Sequence, residues 1–467
     1  MQYDNPFLAG DVKDALTANT SISATTADAI SQILNLDNAE TVAIGSWDGV
    51  GSVVAPTGSN AQAIFADIAG ATGTDVTVDL TTEGLADAKA FVFASDANLT
   101  LDFTASPVVN LLTADLPADD IDRVIVSGNG NDHITVGDGN TTVDTGTGND
   151  TVTLGNGDNV VIANSGDNLI NTGSGRDTIY TGTGNDTVDA GEGFDVAHVA
   201  GSRADFTASV SGNSLNLNGG DHALSTSNVE FISFDNNESI VVATTDEEAS
   251  ALRLYNGLLG RDAEQDGAET WSNAATGTAL TEIAQGFLGS SEFQNNMNSD
   301  FIDSVYSTLL GRTADADGES TWLNLLAQGA SRADVIAGIT GSNEGQGAAP
   351  IADNTDYVKA LYTSVLGRDA DDAGLDTWVS ALTAGADRAS IAQGFTNSAE
   401  STAKSASDFI DELYNNALGR SAEAEGKAAW TAALENGYTQ AEVAIGIVGS
   451  DEGVAHNDNV VVVHGVA

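Results

Sequence analysis

Between Ser127 and His198, glycine and aspartate recur every nine residues without a slip in register. Eight units begin at 127, 136, 145, 154, 163, 172, 181 and 190, and they follow x-Gly-x-Gly-x-Asp-x-U-x with U apolar. Full copies are Gly128, Gly130 and Asp132; Gly146, Gly148 and Asp150; Gly173, Gly175 and Asp177; and Gly182, Gly184 and Asp186. The last unit carries Gly191, Gly193 and Asp195. Paired glycines permit a tight turn with positive φ and leave backbone carbonyls uncovered. An aspartate at a fixed offset adds carboxylate oxygens to those carbonyls. A donor set made only of oxygen is what a hard cation such as Ca²⁺ requires.

The elements that must hold this set are very short strands, one per unit, each turning an apolar residue inward. These are Ile134, Val143, Val152, Val161, Ile170, Ile179, Val188 and Ala197. Successive turns alternate faces, so stacked partners lie two units apart. One face then carries Asp132, Asp150, Asn168 and Asp186, and the other Thr141, Asn159, Asp177 and Asp195. Asp132/Asp150 and Asp177/Asp195 bring two carboxylates together. Asp150/Asn168, Asn168/Asp186 and Asn159/Asp177 bring one, and Thr141/Asn159 brings none and is expected to stay empty. The predicted metal ligands are therefore Asp132, Asp150, Asn159, Asn168, Asp177, Asp186 and Asp195. The backbone of Gly128, Gly130, Gly146, Gly148, Gly173, Gly175, Gly182, Gly184, Gly191 and Gly193 completes the predicted set. The competing reading is a metal-free solenoid whose aspartates only make turns; repetition in register favours calcium. Four rungs per face predict a roll only about 14–20 Å tall.

This segment resembles the repeats-in-toxin family of calcium-binding β-rolls. The resemblance implies calcium binding and export of an unfolded chain by type I secretion with an uncleaved C-terminal signal. It implies no catalytic activity.

A second repeat fills residues 247 to about 453. Four copies share Tyr…Leu-Gly-Arg…Gly…Trp…Gly…Ser-x-Glu, with tyrosines at 255, 306, 362 and 414, tryptophans at 271, 322, 378 and 430, and intervals of 51, 56 and 52. Apolar spacing such as Ile302, Val305, Tyr306, Leu309 and Leu310 predicts an amphipathic helix that ends at a glycine cap. Tandem three-helix units follow. The tyrosines and tryptophans read as core, and the arginines as partners of helix C-terminal carbonyls or of the acidic loop behind them. The loop from Asp262 to Gly267 is like the first half of an EF-hand, but Asn273 stands where the bidentate glutamate belongs, so no metal is expected there. These copies resemble a helical repeat domain of undetermined function found in secreted bacterial proteins, often beside calcium β-rolls.

Composition agrees with this chemistry. The 467 residues carry 68 acidic and 15 basic side chains, a net charge of −53, and no cysteine. Such a surface repels nucleic acid and attracts cations; thiolate zinc sites and disulfides are excluded. The start shows no secretory signal and no stretch has the length of a membrane span. Five histidines form no His-Glu-x-x-His, and neither a nucleophile elbow nor a phosphate loop occurs. His133 and His198 read as solvated.

The predicted fold is multidomain. A β-rich N-terminal domain with short helices (1–126) precedes the parallel β-roll (127–198), a β cap or linker (199–246), an all-α array of four repeats (247–456) and a tail that is a candidate export signal (457–467). The preferred function is a non-enzymatic, secreted, calcium-dependent structural protein that self-assembles into a lattice or filament, as a surface-layer or matrix subunit. Competing readings are an adhesin that binds cell-surface polysaccharide and a secreted hydrolase with an unrecognised N-terminal catalytic domain.

Overall fold

The computed structural model describes residues 5–19, 22–104, 121–220, 222–347, 351 and 353–464. Residues 105–120 of the predicted N-terminal domain, and Gly465–Ala467 of the predicted tail, lie outside the described residues. The chain divides into two compact units, one of residues 1–249, 264–269 and 459–467, the other of 250–263 and 270–458.

In the first unit the chain alternates between two sheets. Each nonapeptide strand pairs in parallel with the strand two units away, so that Ile134, Val152, Ile170 and Val188 share one row, and Val143, Val161, Ile179 and Ala197 the other. All eight are buried, because alternation along so short a strand turns the apolar residue into the space between the sheets and its neighbours away from it.

The coil does not stop where the nonapeptides stop. Ile44–Trp47, Ala63–Asp67, Ala90–Ala94 and Arg123–Val126 extend the first sheet upstream, and Asp75–Thr77 and Asn98–Asp102 extend the second. Downstream, Ala223–Ser227 and Phe231–Phe234 continue the two sheets in parallel, and Thr207–Ser211, Ser214–Asn218 and Ser239–Ala243 add antiparallel strands. Among the described residues the sheets thus have 11 and 9 strands, roughly 50 Å and 40 Å along the stack at about 4.8 Å per strand. Both sheets therefore run past the repeat boundaries, because ordinary alternating strands with longer loops stack beside the nonapeptide strands without any motif.

The predicted tail also joins this stack. Val460–Val462 pairs in parallel with Ser239–Ala243, and Val463 enters the core between the sheets. On the outer face of the first sheet lie two helices, Ala9–Ala18 and Ala24–Ile33. Their Val12, Leu16, Ala29 and Ile30 cover the small outward residues Ala63, Ala90 and Val124. Ser23 caps the second helix, and Thr26 Oγ1 donates to Asp144 Oδ2 at 2.6 Å. Asn164 Nδ2 donates to the other oxygen of Asp144, also at 2.6 Å, so this buried carboxylate ties helix to coil.

The second unit is helical, and its four copies pair by like elements. Ser291–Leu310 packs on Asn354–Leu366 and Arg332–Gly341 on Arg388–Thr396, joining copies two and three; Tyr255–Leu259 packs on Ala399–Leu418 and Leu280–Gly289 on Gln440–Val448, joining copies one and four. Each copy is locked by its signature. Arg261, Arg312, Arg368 and Arg420 lie over Tyr255, Tyr306, Tyr362 and Tyr414 at 5.1, 5.0, 4.8 and 5.2 Å. Each guanidinium forks onto the glutamate of Ser-x-Glu, with Nη2–Oε2 distances of 2.9, 2.8, 3.0 and 2.8 Å to Glu292, Glu344, Glu400 and Glu452. Planar two-point pairing of this kind needs arginine rather than lysine. Each arginine Nη1 also donates to the carbonyl of the next residue. The acidic loops serve the helices: Asp315 and Asp371 accept from Gly318 N and Gly374 N as N-caps. Gly286, Gly338, Gly394 and Gly446 leave room for the indoles of Trp271, Trp322, Trp378 and Trp430.

Replacing Asp144 by alanine strands the Thr26 hydroxyl and the Asn164 amide. The expected cost is about 1–3 kcal/mol, read in urea unfolding, with faster amide exchange across Ala24–Ile33. Unchanged stability and exchange would show that the tie carries no weight.

Candidate metal centre

The loops between strands stack as closely as the strands do. An added Cβ on Gly146 (φ +75°) would lie 1.6 Å from Gly128 O, so only glycine lets one loop settle on the next. The second glycine of each loop is held in the same way. A Cβ on Gly130, Gly148, Gly175 or Gly184 would lie 2.3, 1.8, 2.2 or 2.0 Å from the carbonyl oxygen of Ala97, Gly130, Gly157 or Gly166.

Within this stack the aspartate position forms a ladder. Leu99 N, Asp132 N, Asp150 N and Asn168 N donate to the Oδ1 atoms of Asp132, Asp150, Asn168 and Asp186 at 2.7, 2.8, 2.9 and 3.0 Å. On the opposite side Thr141 N, Asn159 N and Asp177 N donate to Oδ1 of Asn159, Asp177 and Asp195 at 3.1, 2.7 and 2.7 Å.

One oxygen of each carboxylate is thereby used. The second, Oδ2 of Asp132, Asp150, Asp177 and Asp195, is buried without a hydrogen-bond partner. The nearby hydroxyls of Ser127, Thr145 and Thr172 lie within reach of the carbonyls of Thr145, Ala163 and Ala190 at 2.9, 3.3 and 2.9 Å, and from the same positions they partly offset the effect of burial on Asp132, Asp150 and Asp177. The two asparagines show what surrounds the second position. Asn159 Nδ2 donates to Gly157 O (2.8 Å), Thr172 O (3.2 Å) and Gly155 O (3.3 Å), drawing carbonyls from its own loop and from the loop stacked on it. Asn168 Nδ2 donates to Asp186 Oδ1 (2.9 Å), Gly166 O (3.1 Å) and Ala163 O (3.4 Å). A seat ringed by oxygens is satisfied by an amide N–H when asparagine stands there. When aspartate stands there, oxygen faces oxygen, and the ring is satisfied by a proton on the carboxyl or by a cation.

The donor set therefore fits calcium at Asp132, Asp150, Asp177 and Asp195. At Asn159 and Asn168, both predicted as ligands, the amide nitrogen occupies the second position and Oδ1 accepts a backbone N–H. Asp186 accepts both from Asn168 N and from its side chain, so it belongs to the same plug. Among the described residues no three histidine, cysteine, aspartate or glutamate side chains gather as a metal cluster; backbone carbonyls supply the remaining donors.

The ten predicted glycines occupy two different positions in their loops. Gly130, Gly148, Gly175 and Gly193 stand two residues before a ladder aspartate, in register with Gly157 and Gly166, whose carbonyls take the asparagine amides. Theirs are the carbonyls best placed to face a cation. Gly184 holds the same register, but it belongs to the plugged Asp186 loop, and its carbonyl accepts from Ala223 N at 2.9 Å. Gly128, Gly146, Gly173, Gly182 and Gly191 stand in register with Gly155, the most distant carbonyl around the Asn159 amide. Of these, Gly128 O and Gly173 O already accept from Thr147 N and Glu192 N at 3.2 and 3.0 Å. The first glycine thus chiefly stacks the loops, and the second shapes the seat.

Burial raises the carboxyls: Asp132 and Asp177 to about 6, Asp150 to about 7 and Asp195 to about 8, with like charge from Asp132 and Asp186 adding to Asp150, and from Asp177 and Glu230 to Asp195. Asp186 is raised for the same first reason. Two participants escaped the repeat pattern. Glu230 accepts from Asp195 N at 2.8 Å, and Leu99 closes the ladder at the other end, where Asn98 and Asp96 still pair with Asn131 and Asn129. Their signal is weak, because an interval of 33 or 35 residues replaces 18. His133 is exposed as expected. His198 is not: it is half-buried, stacks on Tyr180 at 4.5 Å and meets Ser233 through Nδ1, because it sits on the outer row between strands rather than in a loop.

The family comparison bears on this geometry. A model described as RTX calcium-binding nonapeptide repeat (4 copies) matches residues 126–161, 135–170 and 162–197. Residues 126–197 carry RTX calcium-binding nonapeptide repeats. The domain of unknown function DUF4214 matches 239–297, 284–349, 351–405 and 401–457, which are the four arginine-locked copies. A search of curated proteins finds no match to the chain.

Three outcomes follow for the RTX segment. Without metal, the raised carboxyls favour the protonated folded state: their contribution is full below about pH 4 and is lost as pH rises through the values of about 6 to about 8. Calorimetry in chelator should show the melting temperature falling from about pH 5 to about pH 8. Calcium added near pH 6 should release protons, and far fewer near pH 9; equal release at both would refute the assignment. Asn159→Asp should remove the amide plug, lowering stability in chelator and adding one bound calcium per chain by equilibrium dialysis.

Proposed function

We propose that this is an exported, calcium-dependent structural protein whose RTX segment closes as a parallel β-roll, a solenoid, when calcium fills its seats outside the cell. The observation that carries the reading is the set of four buried carboxylate oxygens without partners, each in the position an asparagine amide takes in its own carbonyl ring. Extracellular calcium modules bind with dissociation constants of about 10⁻⁴–10⁻³ M. At a hundredfold excess, each filled seat adds roughly 2.7 kcal/mol to the folded state. Inside a cell, where free calcium is low, the roll stays open and exportable. In this reading Val460–Val462 leaves the cell unpaired and docks on Ser239–Ala243 only when the coil closes. Among the described residues no helix is long and apolar enough to cross a membrane.

The folded product is a subunit of a surface layer or matrix rather than an enzyme. Two repeat arrays without a catalytic motif support this, as do the outer strands Asp75–Thr77 and Thr207–Ser211, which are largely exposed and, among the described residues, stand at the two edges of the second sheet. Edge strands of this kind template strand pairing between copies. A second reading, saccharide adhesion, draws on a cavity of about 760 Å³ in the helical unit, lined by Asp300, Phe301, Arg332, Lys404, Asp408 and Glu412.

Electron microscopy and circular dichroism of the full chain test the main reading. Sheets or filaments with strong β signal are expected in millimolar calcium at about pH 8, and dispersed chains with a weakened β signal in chelator at the same pH. An undiminished β signal in chelator at that pH, or monomers alone in calcium, would sink it. Retention of the calcium-loaded chain on cell-wall polysaccharide, without assembly, would favour the second reading.

A further inference from the structure

The nonapeptides end at His198, and the repeat pattern places its last carboxylate pair at Asp177/Asp195. The loop that stacks on Asp195 next is Asn228-Val229-Glu230, between the strands Ala223–Ser227 and Phe231–Phe234. It has three residues where most nonapeptide loops have six, and it brings no Gly-x-Gly. Yet Glu230 continues the ladder. Asp195 N donates to Glu230 Oε2 at 2.8 Å, as Asp177 N donates to Asp195 Oδ1 at 2.7 Å. The extra methylene of glutamate spans the gap that the shorter loop leaves. The loop is fixed from the other side as well, since Glu230 N and Phe231 N both donate to Asp195 O at 3.1 Å.

Asp195 is fully buried, and its Oδ2 has no partner. By the register of the stack, this oxygen points where Asn159 Nδ2 points, into a ring formed by its own loop, here Gly191 and Gly193, and by the loop beyond. That loop supplies a second carboxylate. Elsewhere on the ladder, two acids in consecutive positions occur at Asp132/Asp150 and Asp177/Asp195, whereas Asp150 is followed by Asn168.

We propose that Asp195 and Glu230 hold a divalent-cation seat that reaches outside the nonapeptide repeat, in which calcium joins the last RTX loop to the strands that close the coil. It rests on the calcium reading above. It differs in consequence: the ion bridges Asp195 to residues 228–230, and through Phe231–Phe234 to Ser239–Ala243 and Val460–Val462, so one ion fastens the strands at the end of the first sheet.

Glu230→Gln tests it in the full chain. Glutamine keeps an acceptor for Asp195 N but removes the charge. Equilibrium dialysis with calcium should show one ion fewer per chain than wild type, with the remaining sites unchanged. In chelator the variant should melt no lower than wild type, since a buried like charge beside Asp195 is gone; a purely structural glutamate would give a lower melt and an unchanged ion count. An unchanged count overturns the proposal while leaving the calcium reading intact, and a wild-type chain that binds no calcium overturns both. Should the variant not fold, anomalous scattering from crystals of the wild-type chain loaded with a lanthanide decides. A peak between Asp195 and Glu230 is expected; peaks at Asp132/Asp150 with none at Asp195 would refute the seat.

Discussion

A carboxylate oxygen buried against carbonyl oxygens is the constraint around which the first unit is built. Burying an ionised group without compensation costs several kcal/mol, and here four such oxygens occur in one coil. Everything else about the coil keeps them there. The glycines bring the loops into contact, the ladder N–H groups fix one oxygen of each carboxylate, and the inward valines and isoleucines hold the two sheets at a set distance. The fold therefore holds charge that only protons or a cation neutralise, and the two alternatives compete over the same oxygens.

The asparagines show how the same backbone tolerates the absence of a cation. Asn159 and Asn168 stand in consecutive coils near the middle of the repeat, and each satisfies its ring with its own amide. The substitution of one atom, nitrogen for oxygen, changes a seat that demands an ion into one that refuses it. The unpartnered carboxylate oxygens thus lie on both sides of these two asparagines, at Asp132 and Asp150 before them and at Asp177 and Asp195 after.

Much of this was legible in the sequence. The nine-residue period revealed the inward residues, the alternation of sheets and the partners two units apart, because each depends only on local turn geometry. It did not separate the two glycines of a unit: Gly128 and Gly130 look alike in the motif, and only the stacked loops show that one carbonyl is spent on Thr147 N. The extent of the coil was hidden: Ala63–Asp67 or Asn98–Asp102 stack in the same sheets through loops of irregular length, and irregular loops leave no period to read. Glu230 was hidden for the same reason, and His198 because exposure on a strand's outer row is decided by what covers the sheet. In the helical unit the spacing announced Tyr, Arg, Trp and Ser-x-Glu, but not that the arginine joins the tyrosine to a glutamate 31 or 32 residues later. Periodicity reports that landmarks recur, and leaves open which of them touch.

The nested pairing of the four helical copies has a consequence for the order of events. Copies two and three adjoin in sequence and meet through elements about 50 residues apart, as their tyrosines at 306 and 362 do. Copy one instead meets copy four across a separation such as the 159 residues between Gly257 and Asn416. Closing the inner pair loops out far fewer residues than closing the outer one, so the inner pair has the smaller loop-closure entropy to overcome. Once it has formed, copies one and four are brought near each other, and the outer pair closes across a shortened loop.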